Sequence, residues 1–232
     1  MSKIITKILT PALKLWLNSQ VEKLETLNLS IEGSDYQFLS GYIPEIILDS
    51  HQLVYKGLSL EEIKLKARNI RINVGQILRG QSLKLLKDIK ISGEVAISNE
   101  SLKASISSTM LQDSIKYLLN ILLEHKEFTK FSRRISNMTF QLKEINIDCS
   151  NITIQVVSLY EEVIESITIK LRPDITSTQT LSLKEVEIRG LSGLDTCLDR
   201  EILLDLGPDF CINQLSLNYG KLSCQCELKI YS

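Results

Sequence analysis

Histidine is rare in this 232-residue chain: only His51 and His125 occur, far apart in sequence. A hydrolytic triad or a His-ligated metal needs a histidine beside a nucleophile or a second ligand, and neither a G-x-S-x-G elbow nor an H-E-x-x-H helix is present. The five cysteines, at 149, 197, 211, 224 and 226, are odd in number, lack disulfide-framework spacing, and fit a reducing compartment. Cys224 and Cys226 fall two apart on one face of an expected strand. Without a nearby histidine or a second cysteine pair they read as small core residues rather than zinc ligands. GQILRGQS, from Gly75 to Ser82, nearly matches a phosphate-binding loop, but Gln81 stands where the phosphate counterion lysine is required. Ile77 and Leu78 suit a packed turn better. Glu161-Glu162 fall in an expected turn, and acids there are normally solvated. No catalytic residue, metal site or cofactor is nominated, and the expectation is a non-enzyme.

Charge concentrates locally rather than globally. The formal net charge is −1, with 24% charged residues, so the overall basic excess of a nucleic-acid binder is missing. Arg68, Arg71, Arg79, Lys84, Lys87 and Lys90 form one basic cluster, and Lys126, Lys130, Arg133 and Arg134 a second. Aromatic residues, 6% of the chain, are not interleaved with these charges, which argues against single-stranded RNA. Beside an apolar groove, either cluster suits an anionic lipid head group or a membrane surface.

The elements that would position such groups announce themselves through one recurring shape. L-x-x-φ-x-φ, where φ is aliphatic, begins at Leu24, Leu60, Leu86, Leu142, Leu183 and Ile212. The spacing has no fixed period, so a solenoid is excluded. Within a strand, Ile145 and Ile147 share a face, while Leu142 should point the other way. A bulge across the intervening charged pair, Lys143-Glu144, returns Leu142 to that face and bends the strand. The Arg68-Asn69 pair marks a further phase change, between Ala67 and Ile70.

Helical spacing covers residues 2–26 through Ile5, Ile8, Leu9, Leu13, Trp16 and Leu17, with a break expected at Thr10-Pro11. A second helix, residues 109–127, carries Leu111, Ile115, Leu118, Leu119, Leu122 and Leu123 on one face and ends at His125. Ser98 or Asn99 should cap a short helix before it. Another is expected near Asp199 to Leu206. Most of the remainder reads as strand, giving an α+β chain in which a strongly curved, bulged antiparallel sheet wraps the N-terminal and central helices. No linker composition interrupts residues 1–232, so one domain is expected. No apolar run is long enough for a membrane helix, and Lys7 and Lys14 interrupt any signal-peptide core. The expected location is cytoplasmic, with peripheral membrane attachment.

From TPALKLWLNSQVE, through ARNIRINVGQILRG (residues 67–80) and SGEVAISNESLKASI (residues 92–106), to the last strands, the chain resembles the LmeA-like family. That resemblance implies phospholipid binding and a fold similar to tubular lipid-binding (TULIP) domains. Together with the aliphatic strand faces, it gives the expectation of non-enzymatic binding, or transfer, of a phospholipid or other acyl lipid in an apolar groove. Trp16, Leu118, Leu122, Ile145 and Val186 are candidate lining residues, and Arg71 and Arg79 candidate head-group contacts. The alternative is a structural or protein-interaction module with a filled core and no ligand.

Overall fold

The computed structural model describes residues 10, 11, 13–17, 19, 21–124, 139–160, 163–191, 194–198 and 200–232. His125, the second basic cluster and Glu161-Glu162 lie outside the described residues. Thr10, Pro11, residues 13–17 and Ser19 are helical. The helical pattern does not persist to residue 26, because strand β1 (Lys23–Glu32) begins there and Leu24 pairs with Leu53. Strands β2 (Tyr42–Tyr55), β3 (Leu58–Arg71) and β4 (Ile89–Ser98) follow, then β5 (Thr139–Ile147), β6 (Ile152–Tyr160), β7 (Val163–Ser177) and β8 (Thr180–Leu191). The last four are β9 (Leu194–Cys197), β10 (Ile202–Asp205), β11 (Phe210–Asn218) and β12 (Lys221–Ile230). Besides the N-terminal helical residues, the described residues contain four helices: α1 (Asp35–Leu39), α2 (Val74–Ile77), α3 (Asn99–Ala104) and α4 (Thr109–Glu124).

The α+β class holds, but the strands divide into two antiparallel sheets instead of one, and neither closes into a barrel. The first sheet runs β1-β2-β3-β4-β12-β11 and the second β10-β8-β7-β6-β5, with β9 paired to β8. The division has a local cause. At Ser98 the chain leaves β4, because Ser98 accepts the Ser101 amide (3.2 Å) and caps α3, so α3 and α4 carry it away before β5 starts. Strands β11 and β12 then return it to the first sheet.

Three of the six L-x-x-φ-x-φ segments contain the expected bulge. Register slips between Leu142 and Glu144, between Ile212 and Gln214, and opposite Glu185, whose φ is +52°. Leu142 and Ile145 are consequently both buried, as are Leu183 and Val186, three apart on one face. At Leu24 and Leu60 no residue is inserted. Instead Gln52, in the strand between them, takes φ +54° and one rung of the ladder goes unpaired across all three strands. Leu60 and Ile63 still share a buried face. Asn69, φ +56°, acts the same way between Ala67 and Ile70. Leu86 precedes β4, so its segment is not a kinked strand.

Two elements differ from the sequence reading. The helix expected near Asp199 to Leu206 is strand β10, whose Ile202, Leu203 and Leu204 pair with β8 and alternate in exposure with period two. Helix α1, unanticipated, rests on a capping box: Ser34 Oγ accepts the Gln37 amide (3.4 Å), and Gln37 Oε1 accepts the Ser34 amide (2.8 Å).

A candidate lipid-binding cavity

Helix α4 is held against both sheets by polar side chains at its base. Ser108 caps it, accepting the Leu111 amide at 3.1 Å. Gln112 donates to the Ile106 carbonyl (2.7 Å) and accepts from the Leu142 amide (3.2 Å), fastening the first turns to β5. Asn99, at the start of α3, accepts the Ile147 amide at 2.7 Å. Ser105 accepts the Ser59 amide at 2.7 Å, which ties the same helical unit to β3 of the other sheet. Beyond these anchors the interior is lined mainly by aliphatic side chains, and they do not close it.

A half-enclosed cavity of about 330 Å³ remains between α4 and the inner faces of both sheets. Ile115, Leu118 and Ile121 form its helical wall. Ile145, Ile154, Leu171 and Leu183 come from the second sheet, and Ile212, Leu215 and Leu222 from the returning strands β11 and β12. The Asn213 bulge is what lets Ile212 and Leu215, three apart, reach the same space. Ser114 and Tyr117 are the lining residues with polar side-chain atoms. The volume sits at the lower end of the roughly 300–1,000 Å³ range of small-molecule pockets. Its wall carries no charged side chain, and an apolar group is what such a lining can accommodate.

Among the expected lining residues, Leu118 and Ile145 face the cavity. Leu122 and Val186 are fully buried in the cluster behind its wall. Trp16 lies elsewhere, half-buried on the N-terminal helical segment beside Leu13 and Leu17, which pack on the first sheet. Arg71 and Arg79 belong to the α1–α2 end and do not line the cavity. Arg71 is exposed with its guanidinium 4.6 Å from the Tyr42 ring, and Arg79 is exposed just after α2. The phosphate-loop-like segment there is a packed turn: Ile77 is buried, while Leu78 is exposed. Asn73 ties it down by donating to Ser82 O (3.0 Å) and accepting the Lys84 amide (2.7 Å).

Two acids toward that end, Asp88 and Glu45, are already partnered. The Ser232 amide, with Lys229 alongside, holds the Asp88 carboxyl below its ordinary range, and Arg68 with Lys66 does so for Glu45. Cys224 and Cys226 lie on the inner face of β12, opposite Leu215 and Ile212. They are half-buried free thiols outside the three buried clusters, rather than core residues. The Cys224 thiol donates to Cys226, lowering the Cys226 pKa to about 7 and raising its own.

Phospholipid-binding proteins of the LmeA-like family supply the sequence model that matches this chain, over residues 2–227. The chain belongs to the LmeA-like phospholipid-binding family. The family is described by binding, not by catalysis. No curated protein and no solved structure matches the LmeA-like chain. Among its described residues no group of three metal-ligating side chains gathers, and no helix is long and apolar enough to cross a membrane.

Proposed function

We propose that residues 1–232 act as one non-enzymatic lipid-binding unit, in which the two sheets and α4 enclose an acyl chain of a phospholipid in a TULIP-like manner. The observation that carries this reading is the aliphatic cavity beside α4, lined by Ile, Leu and Pro except at Ser114 and Tyr117. Each methylene moved from water into such a space contributes about 0.8 kcal/mol, so a single chain gives binding without any polar anchor. Leu118 and Ile145 contact the chain, and Leu122 and Val186 set the depth of the wall behind it.

In the same reading, attachment to a membrane belongs to the opposite end of the first sheet. Leu39, Leu78 and Leu86 are exposed there, together with Arg71, Arg79, Lys84 and Lys87. In this proposal Arg71 and Arg79 meet anionic head groups at the bilayer surface, at about 1 kcal/mol per charge. Native mass spectrometry of protein purified without detergent tests the binding reading. The expected result is a stoichiometric phospholipid adduct. Ligand-free protein that also takes up no lipid from vesicles would overturn it in favour of a filled interaction module.

A further inference from the structure

A polar basin of about 780 Å³ adjoins the apolar cavity, and Ser114 and Tyr117 line both. One turn of α4 therefore forms the boundary at which hydrocarbon lining gives way to charge. Around the basin stand Glu22, Lys56 and Asp113, with Ser108 and Thr109 at the α4 start. The hairpin between β2 and β3 brings Lys56 there. Gly57, φ +74°, lies so close to Ser108 that an added Cβ would come within 2.8 Å of the Ser108 Cβ, which only glycine permits. Its amide donates to Glu22 Oε2 at 3.0 Å, fixing that carboxylate beside the hairpin. Asp113 also pairs with Lys116 at 3.6 Å.

We infer that this basin is the head-group site of the bound lipid, and that it selects a zwitterionic phospholipid, with phosphate toward Lys56 and ammonium toward Glu22 and Asp113. The inference rests on the acyl-chain reading of the cavity. A chain held there must place its head group where the apolar wall ends, beside Ser114 and Tyr117. A purely anionic head group satisfies Lys56 but leaves Glu22 facing negative charge, and Asp113 as well, offset there by Lys116 at 3.6 Å. A zwitterion satisfies both signs, and like-charge juxtaposition is how a site rejects the wrong partner.

The experiment incubates the full chain with vesicles of phosphatidylethanolamine, phosphatidylcholine and phosphatidylglycerol in equal amounts, re-isolates it, and weighs the captured lipids by mass spectrometry. Zwitterionic lipids should exceed phosphatidylglycerol by about fivefold beyond their share, the effect of one or two exposed charge contacts. The double variant Glu22→Gln and Asp113→Asn keeps the acceptor for the Gly57 amide and should bring the ratio back to the vesicle composition while total uptake persists. Captured lipid at the vesicle composition, or enriched in phosphatidylglycerol, in the unmodified chain overturns the head-group assignment alone. No captured lipid of any class overturns the acyl-chain reading, and this inference with it.

Discussion

At the α1–α2 end of the first sheet, Phe38, Ile43, Ile72, Val74 and Ile77 fill the space beneath the two short helices, all at 8% exposure or less. At the α4 end an equally aliphatic interior leaves a cavity. The composition of the two regions is nearly the same, so hydrophobicity alone does not decide between plug and pocket. The difference lies in what spans the gap. At the filled end an aromatic ring and a short turn, tied across its base by Asn73, enter the interior directly. At the α4 end polar anchors sit at the base of the helix, through Ser108 and Gln112, and the aromatic side chain on the cavity wall, Tyr117, is 66% exposed and does not plug the interior. Close packing is the norm in protein interiors, and the lined void beside α4 is therefore the place the proposal assigns to the acyl chain.

The sharpest way to separate the two ends is to damage the filled one. Phe38→Ala should cost about 3–5 kcal/mol of stability, measured by urea unfolding, because the ring is 2% exposed within an aliphatic cluster with Leu13, Ile43, Ile72 and Val74. Lipid capture per folded molecule should be unchanged. A loss of capture would mean that the two regions are coupled and that the contrast drawn between them is wrong. A smaller effect tests the outer surfaces. Reversing Arg79 and Lys84 to Glu should weaken binding to anionic vesicles at low salt by about 1 kcal/mol per charge, with little change in lipid already held. Similar changes on the polar rim of α4 should leave vesicle attachment alone.

Much of this contrast was legible in the residues. The L-x-x-φ-x-φ shape of LKEINI, LKEVEI and INQLSL, with a charged pair between the anchors in the first two, foretold strands that restore an out-of-phase aliphatic residue to the inner face, and those faces do line or back the cavity. Where the kink came without an inserted residue, at Leu24 and Leu60, the controlling residue was Gln52 on the neighbouring strand. A single-strand pattern holds no record of its neighbour's φ. The period of α4 likewise identified Leu118, and the bulge reading Ile145. The rim was not legible, because Glu22, Lys56 and Asp113 come from separate segments and meet only through the close approach of Gly57 to Ser108. Sheet partition was missed for a related reason: strand pattern specifies faces, while the choice of sheet depended on the α3–α4 passage. The S-x-x-Q of Ser34 to Gln37 was a readable signal for α1, overlooked because the flanking pattern was strand.

The central claim is that the space beside α4 holds an acyl chain, and filling it is the most direct test. Leu118→Trp projects an indole into the cavity from α4, where overpacking should cost about 1–3 kcal/mol and leave the fold intact by circular dichroism. Native mass spectrometry after incubation with phospholipid vesicles should then show the unmodified chain carrying one lipid and the variant carrying at most one tenth as much, the loss expected for about 1.4 kcal/mol or more of excluded chain. Equal lipid loading in a folded Leu118→Trp protein would contradict the account and place the lipid elsewhere.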